Sequence, residues 1–448
     1  MSADLRDLAT RTLMAAKRAG AEAADVLAVR ADGVSMEMRS GALETAERSE
    51  GTDLGLRVLM GRRQACVSIS DTRDAAIEDM VERSVAMARE APEDPSIGLA
   101  DPDDLAQSWD LAALDLVDPA DPPSADMLAE TARALEAAAL AKSGIAQVQS
   151  AGAQFQSAEI YLAASNGFEG GYARTTHGAA CVAICGEGLE MERDYAFESR
   201  SHAADMPDAQ DIGALAAART LARAGATQPA TGAFPVMFDE RIAAGLVGHL
   251  LSAINGAAIA RGTSWAKDLL HQPVLPQALS LIEEPHRARV GRSQPFDAEG
   301  LPTTDRTLVA DGVLQGWILD LASARKLGLS STSNAARGTG GPPSPATGNV
   351  RLTGPQTAKA DLLRQMGEGL LVTSLMGSSI NPNTGDYSRG ASGFWVRGGE
   401  VAEPVNECTI AGNLKDMLLS LRAADDARPH LSAVVPSLVV EGLTVAGK

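Results

Sequence analysis

Cysteine is scarce in this chain: its 448 residues hold only Cys66, Cys181, Cys185 and Cys408, scattered along the length. That excludes a disulfide scaffold and fits a reducing cytoplasm. Aromatic residues are also few, with seven Phe, four Trp and four Tyr. No apolar run reaches the ~18 residues that would span a bilayer. The opening stretch MSADLRDLATRTLMAAKRAG carries charge throughout and lacks the apolar core of a signal peptide, so a cytoplasmic location is expected. Basic residues are in deficit, 39 Lys and Arg against 58 Asp and Glu, which leaves a net charge of −19. Such a surface repels phosphate backbones and opposes nucleic-acid binding. The chain has no Walker sequence, no Gly-x-Ser-x-Gly elbow, and neither HExxH nor HExxxH.

Length implies two or three domains. Residues 1–95 read as helix, strands, helix, an α+β unit. Leu5, Leu8, Leu13 and Met14 give 3–18 a helical spacing. Two short strands, 26–31 and 34–39, are expected to join through Asp32-Gly33, a type I′ hairpin dipeptide. A second hairpin, 53–60 with 64–70, turns at Gly61, and a long helix over 72–91 stops at Pro92. Residues 96–228 start acidic and Pro-rich, continue with an Ala/Leu helix at 125–142, and then alternate as a meander. Its strands are 147–155, 159–164, 168–185 and 189–199, packed with the N-terminal unit and followed by a helix at 208–224. Residues 229–448 open with a buried strand, 234–238, and with Asp239 as N-cap of a helix over 241–259. The rest is mostly strand and turn, so a barrel-like closure is expected. The fold class is α+β: an N-terminal α+β domain with helices and an antiparallel meander, then a C-terminal mostly-β, barrel-like domain. Within that third region, 328–345 is a long Gly/Ser/Pro loop of the kind that serves function or an interface.

Several residues invite chemistry. His177, Cys181 and Cys185 look like metal ligands, but on one strand they stand ~13 Å apart. A zinc ion needs donors ~2.0–2.3 Å from itself, so small core cysteines are the better reading. Gly338-Thr339-Gly340-Gly341 lacks the Lys and helix start of a phosphate cradle and reads as an adaptable loop. His249 is a lone helical histidine among leucines, read as a packing or capping residue. Asp386, Tyr387, Ser388 and Arg389 follow a turn at Asn383-Thr384-Gly385, suited either to peptide binding or to loop structure.

The densest stretch is 376–414, MGSSINPNTGDYSRGASGFWVRGGEVAEPVNECTIAGNL. Pro382, Gly385, Gly390, Gly393, Gly398 and Gly399 punctuate it, with Phe394 and Trp395 at its centre. This stretch resembles the C-terminal signature of the PmbA/TldE branch of the TldD/PmbA family, once called modulators of DNA gyrase. RSGALETAERSEGTDLGLRV at 39–58, FDAEGLPTTDRTLVADGVLQGWILD at 296–320 and ARKLGLSSTSNAARG at 324–338 agree with it. The resemblance covers nearly the whole chain.

It implies one of two branches. Catalytic members carry HExxxH on a helix early in the C-terminal domain and a Cys near the chain end, and hold zinc with them. They cleave small unfolded peptides. Members like TldE lack those ligands and form the non-catalytic half of a heterodimer that encloses a channel. Here the first His and the Glu of the pattern are replaced by Ala244 and Gly245, and only His249 matches the second His. The segment before the final strand, AADDARPHLSAVVPSL, holds no Cys, and His430 is the sole candidate ligand there. One retained imidazole is short of the three protein ligands usual in catalytic zinc sites, and no Glu is placed as general base.

The expectation is therefore a non-catalytic subunit with no metal site of its own, zinc residing in a TldD-like catalytic partner. A homodimer in isolation is the alternative assembly. Expected binding residues for substrate or partner are Asn383, Gly385, Asp386, Tyr387, Arg389 and Gly393, with loops 328–348 and 377–393 facing the partner or a shared cavity. On that view, Val at 385 and 393 breaks association or peptide turnover and leaves the fold intact. Two alternatives stand beside it: an independently active peptidase or hydrolase with an unrecognised site, and a peptide-binding scaffold without proteolytic role.

Overall fold

The computed structural model describes residues 3–448. Helix α1 (Ala3–Arg18) leads into three long antiparallel strands, β1 (Ala23–Arg39), β2 (Ala42–Met60) and β3 (Arg63–Ile69). Helix α2 (Asp74–Glu90) and the short α3 (Leu111–Leu114) follow, then α4 (Ala125–Leu140), β4 (Ile145–Ala164), β5 (Glu169–Cys185), β6 (Glu192–Arg200) and α5 (Ala209–Ala222). The six strands form one sheet in the order β3-β2-β1-β4-β5-β6. β1 and β4 pair along their length, from Asp25 opposite Ala164 to Met38 opposite Ala151. Strands read from 1–95 and from 96–228 therefore share one sheet.

Alternation along the strands puts one face under helices. Val26, Ala28, Leu54, Leu56, Tyr161 and Ala163 pack with α1 and α2. Ala151, Ala179 and Cys181 pack with α4 and α5. The opposite face meets the 99–116 segment at one end, where Leu162, Phe168 and Tyr172 pack with Phe296.

Two local expectations fail here for one reason. Asp32-Gly33 is not a hairpin turn but mid-strand, hydrogen-bonded between Ser49–Glu50 and Gln156–Ser157. The first chain reversal comes at Ser40–Gly41, both with positive φ. Likewise 147–155 and 159–164 are one strand, β4. Pairing on both sides outweighs a local turn preference. The hairpin at Gly61 stands as expected, and the chain also turns at Asn166-Gly167 and Gly186–Gly188, each of these glycines having positive φ.

The C-terminal region runs β7 (Gly232–Phe238), α6 (Glu240–Ala253), α7 (Gly256–Ala260), β8 (Ser280–Glu283), β9 (Arg306–Ala310), β10 (Val313–Leu314), α8 (Leu321–Leu327), β11 (Ala335–Ala336), β12 (Ser344–Pro345) and β13 (Val350–Thr353). It ends with α9 (Lys359–Met366), β14 (Gly369–Ile380), β15 (Asp386–Arg397), β16 (Glu400–Asn413), α10 (Leu414–Leu419), β17 (Arg422–Ala423), β18 (Ala433–Val434) and β19 (Leu438–Ala446). β16-β15-β14-β7-β19 close into a five-stranded barrel through the β16–β19 pairing. Its largest core cluster joins barrel residues Val236, Phe238, Val372 and Val440 to Leu246, Val247 and Leu250 of α6. The fold is α+β with a C-terminal barrel. The expected helix over 241–259 is two: Asn255 interrupts it, accepting from Ala257 N at 3.0 Å as cap of α7 and donating to Pro345 O at 2.7 Å. No helix among the described residues is long and apolar enough to cross a membrane.

Candidate functional site

Helix α6 carries the three positions that the resemblance singles out. Asp239 caps it, accepting from Arg241 N at 3.3 Å. Lys359 donates to the same carboxylate at 2.9 Å, and Arg241 reaches Asp194 of β6 at 3.0 Å. These ion pairs tie the start of α6 to α9 and to the six-stranded sheet. Leu246, Val247 and Leu250 face the core, which leaves Gly245 exposed and Ala244 half-buried. A Cβ added at Gly245 or Gly248 would meet nothing within 4 Å. That part of α6 is open, and the residues on it carry no donor atom.

His249 stands one turn on, half-buried, with its ring edge-on to Tyr387 at 5.8 Å between centroids. Burial, and then the Arg389 guanidinium, push the imidazole below its usual value, so it is neutral at pH 7. A neighbouring cation disfavours a second cation. No group of three or more His, Cys, Asp or Glu side chains is arranged to hold a metal among the described residues. The donor set at α6 does not fit a catalytic zinc ion.

Tyr387 is buried, and its phenol is pushed up to about 12 by that burial. Arg389 donates from Nε to Gly377 O at 2.7 Å, bracing the β14–β15 hairpin. Asp386 accepts from Thr384 Oγ1 at 2.6 Å and Asn413 Nδ2 at 3.1 Å. Its carboxyl is held low by the Thr384 bond first and the Asn413 bond second. Asn383 N donates to Asn381 Oδ1 at 2.9 Å. The hairpin tip is docked by Trp265 N, which donates to Pro382 O at 2.7 Å. Tyr387 and Arg389 thus stand beside His249, whereas Asn383 and Asp386 belong to a self-satisfied turn.

Gly385 and Gly393 are structural. Gly385 has φ +85°, and a Cβ there would lie 3.3 Å from Asn413 and 3.4 Å from Trp265. At Gly393 a Cβ would overlap the Leu371 carbonyl oxygen, where β14 and β15 shift register. The expectation that Val at these positions spares the fold is therefore wrong on steric grounds.

The 328–348 loop packs in part on the N-terminal half of the chain. Arg337 is buried against Asp25 of β1, which Arg57 of β2 also engages through Nε at 2.7 Å. A Cβ at Gly55 would overlap Thr339. The Gly338–Gly341 run thus lies on the N-terminal sheet, as a clasp between the two halves of this chain.

The other histidine and cysteine candidates are dispersed. His177 Nε2 lies 3.0 Å from Asp118 Oδ2. Cys181 and Cys185 are buried under α4 and α5, facing Leu135 O and Thr220 O. His430 Nε2 is 3.1 Å from Arg428 and 3.6 Å from Glu198, and burial and the flanking arginines push it down to about 4.

Sequence reading missed a cluster of buried acids beside the clasp. Asp297 (1% exposed) accepts from Leu301, Glu299 and Ala335 amides, yet burial pushes it up to about 6. Glu299 (8% exposed) accepts from Leu321 N at 2.8 Å and is pushed up to about 8 by burial and then by Asp297. The only signal was FDAEG, two acids set between Phe296 and Gly300.

Comparison with known proteins finds relatives along most of the chain. Three family profiles match in order: PmbA/TldA metallopeptidase domain 1 over 24–88, its central domain over 118–224 and its C-terminal domain over 231–447. Metalloprotease PmbA of Escherichia coli O157:H7 is 35% identical over 428 residues, spanning 95% of this chain and 93% of that protein. A PmbA homolog from Haemophilus influenzae is 36% identical over 448 residues, spanning 99% and 96%. A candidate modulator of DNA gyrase from Bacteroides thetaiotaomicron superposes with a TM-score of 0.90 at 26% identity, over 100% of both chains. TldE from Thermococcus kodakarensis shares the fold, with a TM-score of 0.84 at 18% identity over 98% of this chain and 99% of that one. With profiles spanning most of its length and curated relatives above 30% identity, the chain belongs to the TldD/PmbA family, on its PmbA/TldE branch.

Proposed function

We propose that this chain is the non-catalytic subunit of a cytoplasmic, heterodimeric zinc metallopeptidase that processes or degrades small unfolded peptides. The observation that carries the reading is helix α6. Ala244 and Gly245 stand where the family's catalytic helix carries His and Glu, and the remaining His249 faces Tyr387 and a cationic Arg389. A water activated on a metal needs at least three protein ligands and a base, and α6 provides one imidazole. In this reading zinc belongs to a TldD-like partner carrying HExxxH. Asn383, Gly385, Asp386, Tyr387, Arg389 and Gly393 shape the hairpin beside the vacant helix face, and its exposed rim at Met376–Ser379 is the contact offered to that partner.

The curated relatives are named metalloproteases, which favours a second reading, an independently active peptidase. Zinc analysis and peptide cleavage separate the two. The purified chain alone is expected to hold substoichiometric zinc and leave an unfolded peptide intact. Co-expression with a relative bearing HExxxH is expected to give a 1:1 complex that cleaves it. Stoichiometric zinc in the isolated chain, with matching proteolysis, refutes the proposal.

A further inference from the structure

Four cavities lie end to end on the face of the six-stranded sheet opposite α1, α2, α4 and α5. The outermost, of about 490 Å³, covers Ser35, Glu37, Gly152 and Phe197. It shares Ser35, Glu47 and Gln154 with a second of about 510 Å³. That one shares Gly33, Ser49 and Gln156 with a third of about 220 Å³. Ala158 and Arg174 pass from the third into a fourth of about 360 Å³, which ends on Phe296 and Arg337 of the C-terminal region. Together they make one trough along β1 and β4. Measured along β4 from Ser150 to Leu162, at ~3.3 Å per residue, it runs roughly 40 Å, the span of about a dozen extended residues.

Its floor suits a polypeptide backbone. Gly152 lies opposite Ala180 and Gln154 opposite Gly178, so no bulky side chain stands up from the middle. The side-chain amides of Gln154 and Gln156 make no hydrogen bond within the described residues, which leaves both donors and acceptors for peptide groups. Serine, glycine and glutamine line the middle of the trough, whereas its inner end is apolar, with Leu27, Val29, Ile160 and Leu162, and Phe197 stands at its outer end. The ends differ in charge. Glu37 and Glu47 stand at the outer end with no ion pair among the described residues, and Arg48 lines the adjoining cavity. Arg174 stands at the inner end, donating to Gly291 O at 2.7 Å and Tyr172 Oη at 2.9 Å, with its Nε buried and without a partner among the described residues.

We infer that this trough binds an unfolded peptide in extended form, its cationic end over Glu37 and Glu47. The inference rests on the peptide-handling reading above and adds where on this chain a peptide lies and which charge it carries. Gln154 and Gln156 hold the backbone without reading side chains, and the two glutamates select peptides with a free amino end or lysines at that end.

Fluorescence anisotropy on the purified chain, without a catalytic partner, tests it. The probe is a labelled 12-residue Gly/Ser/Gln peptide with three lysines at its amino end, compared with the same peptide carrying three glutamates. The lysine peptide is expected to bind, and Glu37→Lys/Glu47→Lys to weaken it about tenfold while strengthening the glutamate peptide. Both side chains project into solvent-filled space, so the thermal midpoint is expected to stay put. Ala180→Trp, which stands a ring on the floor, is expected to weaken both peptides. Equal binding of the two peptides by the parent chain, or parent-like binding by the charge-reversed variant, overturns the inference. So does a charge-reversed variant that loses its HExxxH-bearing relative but keeps the lysine peptide, because the trough is then a partner interface. None of these readouts depends on which subunit holds zinc.

Discussion

Asp25→Asn should open the clasp between the two halves of the chain. Asp25 is 3% exposed, and it alone stands between two guanidiniums, Arg57 of β2 and Arg337 of the 328–348 loop. Burial works against its charge, but the two arginines outweigh that and hold the carboxyl below its usual value. A group with a lowered folded pKa contributes stability that is present above its unfolded value, near 3.8, and is lost as pH falls through the folded one. The clasp is therefore at full strength at neutral pH. Asparagine keeps the shape and removes the charge, leaving two buried cations facing each other. Breaking a buried ion pair in this way costs about 3–5 kcal/mol.

A partial rescue is built in. Arg57 also feels Glu299, whose carboxyl is pushed up to about 8 and is mostly protonated at pH 7. Two uncompensated cations should ionise it. The cost should then sit nearer 3 kcal/mol at pH 8 and nearer 5 at pH 6. Native-state hydrogen exchange reads this directly, at the amides of Ala335, which donates to Asp297, and Ala346, which donates to Asn334 O. Exchange there should rise roughly 10²- to 10³-fold, with the barrel strands little changed. Adding Arg337→Met should recover part of the loss by removing the surplus cation. A rise below about tenfold in a folded variant would refute the claim that this charge cluster joins the halves.

Other outcomes follow from the same geometry. Glu299, with a folded pKa near 8 against an unfolded value of 4.5, favours the folded state at low pH, and that contribution is lost as pH rises through about 4.5–8. Glu299→Gln keeps the bond from Leu321 N, so it should flatten the pH profile and stabilise the chain by about 2–4 kcal/mol at pH 8, as read by denaturant midpoints at pH 5 and 8. Gly393→Val should cost more than ~4 kcal/mol or give insoluble protein, because the new Cβ meets the Leu371 carbonyl; a soluble variant with parental thermal midpoint would contradict this. Ala244→His/Gly245→Glu should fold normally, since α6 is open there, and should raise zinc content above that of the parent; a destabilised variant would show that the helix face is not free.

Local sequence determined the element types and the family. Leu5, Leu8 and Leu13 specify α1, Gly61 and Asn166-Gly167 specify turns, and Asp239 caps α6, because each depends only on near neighbours. The blank positions at Ala244 and Gly245 were legible too, since a missing donor atom needs no fold to be missing. Lengths and joins were not legible. Asp32-Gly33 lies mid-strand because β2 and β4 flank it on both sides, a contact with Gln156 that no window around residue 32 contains. Tertiary structure alone decided the rest. Arg337 meets Asp25 across 312 residues of chain, and that pairing makes the 328–348 loop a clasp between the two halves. It also laid Gly152, Gln154 and Gln156 beside Ser35 and Glu47 to make a trough. Charge and burial act through space, so residues far apart in sequence acquire these roles only when the sheet brings them together.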